Sequence, residues 1–238
     1  MGTLEVYSLT KTEKKSFIDT YEQFYFVEKE YTANEKELLG TILKNKSSYA
    51  VEEYADKVLD RSIPLDKRVF LWKAGRLTKE YSELKDADLI SQIKVRNGRG
   101  HEIDNADEFI YEIKNMTLVK GEDGFKENYK KFLEISKQVN LKNVGAVYLI
   151  TILFFLSNKE YPIYDYFAHK AVKALYLDKK PNEIFVGGAP DKKELDKVIA
   201  MYGEYVYLLD QVFGYHNIER KLDRSLWVYG HATQKYEE

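Results

Sequence analysis

The fold is decided by residues 141–175, which read LKNVGAVYLITILFFLSNKEYPIYDYFAHKAVKAL. This stretch contains the only continuous apolar run of the chain, residues 144–156, interrupted by nothing more polar than Tyr148 and Thr151. A helix that is apolar on every side is normally buried in the middle of a domain. The run has only about half of the ~20 residues that a bilayer requires. It therefore predicts a central core helix and no membrane span.

Composition is typical of a globular protein. The 238 residues are 44% hydrophobic and 32% charged, and they suffice for one large domain or two interlocked lobes. Cysteine is absent, which excludes disulfides, thiol nucleophiles, iron–sulfur clusters and cysteine-ligated zinc. Residues 1–30 show no apolar signal-peptide segment, so a cytoplasmic protein is expected.

Net charge gives no general sign of a nucleic-acid partner. Lysine and arginine total 37 against 39 acidic residues, whereas dedicated nucleic-acid binders usually carry a basic excess. Residues 126–142 do hold five lysines against two glutamates, a local surplus of three (5 − 2). A solvated helix face is the favoured interpretation of that surplus.

Apolar spacing predicts an all-α fold of about ten helices. A glycine-bearing loop, residues 95–105, contains Asn97-Gly98, a dipeptide typical of tight hairpin turns, and admits one small β-hairpin. The predicted helices span residues 11–31 (with Thr12 in the capping region), 35–43, 49–59, 64–75 (with Pro64 in the first turn and Gly75 at the end), 84–94, 107–115, 125–139, 144–156, 166–176, 191–213 and 218–229.

Two helix ends in the decisive stretch carry chemistry. Residues 141–145, LKNVG, join the lysine-bearing helix to the buried one through a tight turn, and Gly145 can take backbone angles that other residues resist. The free N–H groups of the new helix and its dipole together suit a phosphate. Twenty positions later (165 − 145), the segment PIYD places the carboxylate of Asp165 at the start of the next helix.

These residues resemble the helix-hairpin-helix DNA glycosylase superfamily, over residues 126–177. Its members carry an L-P-G-V-G hairpin, a buried helix and then a P-x-x-D or P-V-D turn that opens another helix. Lys142 and Asn143 replace the proline and the first glycine of that hairpin, and asparagine can still adopt a left-handed turn conformation. The resemblance implies a two-lobed multi-helix bundle within one compact unit of residues 1–238. The lobes would be residues 1–120 with the C-terminal helices, and residues 121–180.

The resemblance also implies a function, namely binding of duplex DNA and excision of a damaged base. The hairpin amides of Lys142, Asn143, Val144 and Gly145 would hold the DNA backbone. Asp165 would be the essential carboxylate, stabilising positive charge on the sugar or activating water. An extruded base needs a pocket, which would be lined by residues near Asp165: Tyr164, Tyr166 and His169.

Departures from the family pattern leave alternatives open. Val147 stands where bifunctional members have a Schiff-base lysine, which disfavours a lyase mechanism at that position and leaves monofunctional hydrolysis. The favoured interpretation of Asp165 is an N-cap of the following helix, since capping explains the residue without any chemistry. Two other interpretations remain open. The chain is either a non-catalytic protein of the same fold that binds nucleic acid or a protein partner, or an unrelated helical scaffold. Neither a cofactor nor a metal is expected, since the four histidines are scattered without ligand spacing.

Overall fold

The computed structural model describes residues 8–26, 30–39, 47–121, 123–214 and 219–235. These residues form twelve α-helices and no β-strand, which confirms the prediction of an all-α fold. Two 3-10 helices, Glu22–Tyr25 and Pro181–Glu183, complete the set. The α-helices are α1 (Lys11–Tyr21), α2 (Ala33–Leu39), α3 (Tyr49–Leu59), α4 (Arg68–Lys73), α5 (Lys79–Glu83), α6 (Ala87–Gln92), α7 (Ala106–Lys114), α8 (Gly124–Gln138), α9 (Ala146–Leu156), α10 (Tyr166–Tyr176), α11 (Leu195–Phe213) and α12 (Arg220–Tyr229).

The chain divides into two compact units. Unit 1 comprises Met1–Lys46, Pro162–Ala189 and Ala200–Glu238, and unit 2 comprises Ser47–Tyr161 and Pro190–Ile199. The second boundary along the chain, between Tyr161 and Pro162, falls inside the segment 121–180 that the sequence suggested as one lobe. The α8–α9 hairpin therefore belongs to unit 2, and Asp165 belongs to unit 1.

Unit 2 is built around α9. Nearly all of its side chains are buried, and it packs against α3, α4 and α8. The ring of Trp72 in α4 meets that of Phe155 edge-on, with centroids 5.3 Å apart. Thr151, the polar interruption, donates its hydroxyl to the carbonyl of Val147 at 2.9 Å, so its burial leaves no unmade hydrogen bond. The prediction of a central core helix is confirmed.

Unit 1 has an aromatic core in which α12 packs against α1, α10 and the first 3-10 helix. The Tyr229 ring lies 5.5 Å from that of Phe17 and 5.0 Å from that of Tyr21, centroid to centroid. Buried Arg224 donates to the Glu22 carboxylate at 2.7 and 3.0 Å. Such pairing is required because an isolated buried charge is costly.

Several helix boundaries differ from the sequence prediction. The first helix turns into a 3-10 helix after Tyr21, because this tighter winding brings Phe24 into the core, 5.3 Å from the Tyr31 ring. Its N-cap is Thr10, which forms a capping box with Glu13, so the assignment of Thr12 was wrong. The predictions for residues 27–29, 40–43 and 218 lie outside the described residues.

The region around α4 was also predicted inaccurately. Pro64 precedes α4 instead of standing in its first turn, whereas the stop at Gly75, whose φ is +64°, is confirmed. Short helix α5 was missed, and α6 is shorter than residues 84–94. In place of the β-hairpin, residues 95–105 hold an isolated antiparallel bridge between Arg96 and Glu102.

Candidate functional site

Two left-handed asparagines shape the α8–α9 hairpin. Asn140 ends α8 with φ +54°, and Asn143 reverses the chain with φ +60°. Gly145, expected to supply the unusual backbone angles, instead has an extended conformation (φ −92°, ψ 175°) that any residue adopts. The structure thus assigns the turning role to Asn143, because its short polar side chain tolerates the left-handed region and bonds locally.

The tip of this hairpin is exposed. Lys142, Asn143 and Gly145 reach the surface, whereas the side chain of Val144 is buried in the unit 2 core. Gly145 is the N-cap of α9 and has no side chain to occupy the first amides of that helix. The amino end of α9 therefore keeps its capacity to donate hydrogen bonds to an anion.

The loop of residues 95–103 is fastened to the hairpin by side-chain hydrogen bonds. The Asn97 amide donates to the carbonyl of Asn143 at 3.0 Å, and the Asn143 amide donates to the carbonyl of Glu102 at 2.7 Å. The N–H of Gly98 donates to the hydroxyl of Tyr148 in α9 at 2.8 Å. The loop and the hairpin therefore form one surface of unit 2, which sequence spacing gave no means of finding.

Lys192 supports the hairpin from inside unit 2. Its ammonium donates to the hydroxyl of Ser136 at 3.1 Å and to the carbonyl of Leu141 at 3.2 Å. Burial lowers the pKa of Lys192. The ammonium group nevertheless donates both of these hydrogen bonds. The sequence gave no sign of this role, since Lys192 lies fifty-one residues after Leu141.

Asp165 caps α10. Its carboxylate accepts a hydrogen bond from the N–H of Phe167 at 2.9 Å, and its side chain is half-buried. The capping interpretation of the sequence is therefore confirmed, and such a cap contributes about 1 kcal/mol. A catalytic role for the same carboxylate stays a prediction.

Behind Asp165, unit 1 contains a buried aromatic cluster made of Tyr164, His169 and Tyr205. The Tyr164 hydroxyl lies 3.2 Å from Nδ1 of His169, and both rings stand within 5.6 Å of the Tyr205 ring, centroid to centroid. All three side chains are almost inaccessible to solvent, and the charge of Asp165 helps to raise the pKa of Tyr164 and of Tyr205. Tyr166, by contrast, is 38% exposed beside it.

Burial governs the protonation of this cluster. It lowers the pKa of His169 to about 4, although Glu204, with Oε2 3.7 Å from Nε2 of His169, opposes the shift. Glu204 is bound by Lys173 at 2.6 Å. Burial also raises the pKa of Tyr205 well above its ordinary value, helped by the nearby carboxylates of Asp223 and Asp165. Histidine and tyrosine are therefore both neutral at neutral pH.

The structure brings together some of the predicted site residues and separates others by unit. Lys142, Asn143, Val144 and Gly145 form the hairpin of unit 2. The other four, in unit 1, are gathered at the amino end of α10: Asp165, Tyr164, Tyr166 and His169. The pocket and DNA-binding roles of these residues stay predictions.

Further ligand chemistry is limited within the described part of the chain. No group of three or more histidine, aspartate or glutamate side chains there could hold a metal ion. Over the same residues, no helix combines the length and the apolar character needed to cross a membrane.

Comparison of the chain with protein-family models, with curated proteins and with solved structures found no match.

Proposed function

We propose that this chain binds duplex DNA through the α8–α9 hairpin of unit 2, and that its fold is that of the helix-hairpin-helix DNA glycosylases. The observation that carries the proposal is the exposed amino end of α9, uncapped at Gly145 and flanked by exposed Lys142. Backbone amides at a helix start and an adjacent lysine are the donors that DNA phosphates accept. A cytoplasmic location stays an accompanying prediction.

An isosteric pair of variants tests this proposal. Nothing lies within 4 Å of a Cβ atom built on Gly145, so both Gly145→Asn and Gly145→Asp fit the N-cap position and supply a capping side chain. The aspartate adds a negative charge where a phosphate would bind. We expect Gly145→Asp to bind DNA roughly tenfold more weakly than Gly145→Asn, as losing one charge-assisted contact implies.

The measurement is fluorescence anisotropy of a labelled duplex carrying an abasic-site analogue, at low and near-physiological salt. Equal thermal midpoints for the two Gly145 variants show that folding is unchanged. No binding by the wild-type protein at low salt would refute the proposal. Equal affinity of the two variants would show that the amino end of α9 does not contact the DNA.

A second candidate function, hydrolysis of an N-glycosidic bond, is favoured by the half-buried Asp165 carboxylate. It stands beside exposed Tyr166 and is backed by the buried cluster. In this reaction the bond between the sugar C1′ and the base breaks, water adds to C1′, and the base leaves with a proton. Asp165 would stabilise the positive charge that develops on the sugar. With Val147 at the Schiff-base position, no covalent enzyme intermediate is expected.

Asp165→Asn separates catalysis from capping. Asparagine is as good an N-cap as aspartate, so the variant keeps the hydrogen bond to Phe167 and the stability of α10. An excision screen over duplexes with different damaged bases should show activity that Asp165→Asn abolishes. Activity retained in that variant would reject Asp165 as the catalytic carboxylate. Absence of excision despite DNA binding would favour the non-catalytic alternative.

A further inference from the structure

The loop of residues 95–103 is held in place by groups of the hairpin and of the turn that follows α4. Besides the Asn97, Asn143 and Tyr148 hydrogen bonds already described, Arg76 donates from its guanidinium to the carbonyl of Gly98 at 3.2 Å. Inside the loop, Oδ1 of Asn97 accepts the N–H groups of Arg99 and His101 at 3.0 and 3.1 Å. The loop is therefore ordered on the α9 surface before any ligand arrives, which lowers the entropic cost of binding.

Four positively charged side chains lie around the contact between the loop and the hairpin, and their charges are not neutralised. Within the described part of the chain, none of them forms an ion pair with a carboxylate. The one acidic side chain of the loop itself that could oppose them, Glu102, is placed 3.6 Å from Lys94, so these two charges offset each other. All four cations are exposed: Arg76, Arg96, Arg99 and Lys142.

The hydrogen bonds that join the two elements also place these cations next to one another. Arg96 immediately precedes Asn97, and Lys142 immediately precedes Asn143, the two residues linked at 3.0 Å. Arg99 follows Gly98, whose N–H is bound by Tyr148 in the first turn of α9. Positive charge is thus concentrated around the amino end of α9, although the net charge of the chain is −2.

We propose that residues 95–103 are a second phosphate-binding element, continuous with the hairpin, and that Arg96 and Arg99 contact the DNA backbone beside Lys142. The proposal rests on the proposed function and extends its footprint. The cations are spread over an exposed surface and do not converge on a buried pocket, which suits a polyanion with regularly spaced charges better than a small anion. Tyr148 and Asn97 are positioning residues for this element.

The salt dependence of DNA binding tests the proposal, because each phosphate contact contributes about 0.9 to the slope of log K against log salt. We expect Arg99→Gln and Lys142→Gln each to lower that slope by about one contact, and the double variant by about two. Lys57→Gln is the control: it removes an exposed lysine of unit 2 that is already paired with Glu53 at 2.7 Å. Lys57 lies in α3, four residues before Arg61, which binds the carbonyl of Leu156 at the far end of α9, about 16 Å from its start.

Tyr148→Phe tests the positioning role without changing charge. It removes the hydroxyl that binds Gly98, so we expect weaker DNA binding in the wild-type background. In the Arg96→Gln/Arg99→Gln background the same substitution should have little further effect, because both DNA contacts of the loop are then already absent. A purely structural role of Tyr148 would lower affinity equally in both backgrounds, and that result would overturn the positioning role.

The remaining outcomes separate this proposal from the one on which it rests. If Lys142→Gln lowers the salt slope and Arg99→Gln leaves it unchanged, the hairpin binds DNA and the loop does not. That result overturns the second element alone. If the wild-type protein does not bind the duplex at low salt, both proposals fail together. If Lys57→Gln lowers the slope as much as Arg99→Gln, binding is diffuse and the loop is rejected as a defined element.

Discussion

The carboxyl end of α12 approaches the first turn of α10 so closely that only glycine fits at position 230. A Cβ atom built there would lie 2.7 Å from the carbonyl carbon of Phe167, 3.0 Å from its Cα, and nearer still to its carbonyl oxygen. Ordinary contacts of a Cβ atom begin at about 3.4 Å. Gly230→Ala must therefore move the two helices apart by at least 0.7 Å (3.4 − 2.7).

The expected loss of stability in Gly230→Ala depends on which atoms the new methyl group displaces. Overpacking a well-packed core typically costs about 1–3 kcal/mol. The obstructing atoms here are main-chain atoms of α10, which cannot rotate away, so we expect the top of that range, about 3 kcal/mol. At about 2–4 °C per kcal/mol for a chain of this size, the thermal midpoint should fall by about 6–12 °C. The separation should also disturb Asp165, which caps α10 through the N–H of Phe167.

Gly203→Ala is the matched control with the opposite expected sign. Gly203 is exposed in the interior of α11, and nothing lies within 4 Å of the added Cβ. Alanine there should stabilise the protein by about 0.5–1 kcal/mol. Urea unfolding followed by far-UV circular dichroism measures both variants. A Gly230→Ala protein as stable as the wild type would refute the inference that this close approach constrains unit 1.

Two further predictions concern buried polar groups. Since the folded-state pKa of His169 is about 4, below the ordinary 6.5, the unfolded chain binds more protons between these values. Stability should fall as pH drops from 6.5 toward 4, by up to about 3 kcal/mol. The measurement is the free energy of urea unfolding at several pH values, each compared with its value at pH 8. His169→Gln should reduce the loss of stability toward pH 4, and an unchanged loss would contradict the attribution to His169. Buried Asn128 exchanges 2.8 Å hydrogen bonds with the N–H and the carbonyl of Val119. Asn128→Ala should cost about 2 kcal/mol or more by urea unfolding, and the loss of stability of Asn128→Asp relative to the wild type should be larger at pH 7 than at pH 4.

Sequence periodicity predicted the helices of strongest pattern and missed those set by tertiary contacts. The limits of α3 and α10 agree with the prediction, because each begins at a side-chain cap, Ser48 and Asp165. Short α5 has no buried residue and therefore no apolar stripe to detect. The change to a 3-10 helix after Tyr21 depends on where Phe24 packs, which local spacing does not encode.

The candidate sites divide in the same way. The tight turn between α8 and α9 and the cap at Asp165 could be inferred from sequence, because both depend on neighbouring residues, although the unusual backbone angle lies at Asn143 and not at Gly145. The supports of the hairpin could not, since Asn97 lies 46 residues from Asn143 and Lys192 lies 51 residues from Leu141. Single-sequence patterns carry no information on pairings across such distances.

The attachment of the loop to α9 also bears on chemical ageing. Asparagine followed by glycine is prone to deamidation, in which the glycine nitrogen attacks the asparagine side chain to form a succinimide. Here that nitrogen, in Gly98, donates its hydrogen to Tyr148, and the Asn97 side chain is engaged by Asn143, Arg99 and His101. The reaction requires both to be released, so loss of ammonia at Asn97 would record how often the loop leaves the helix.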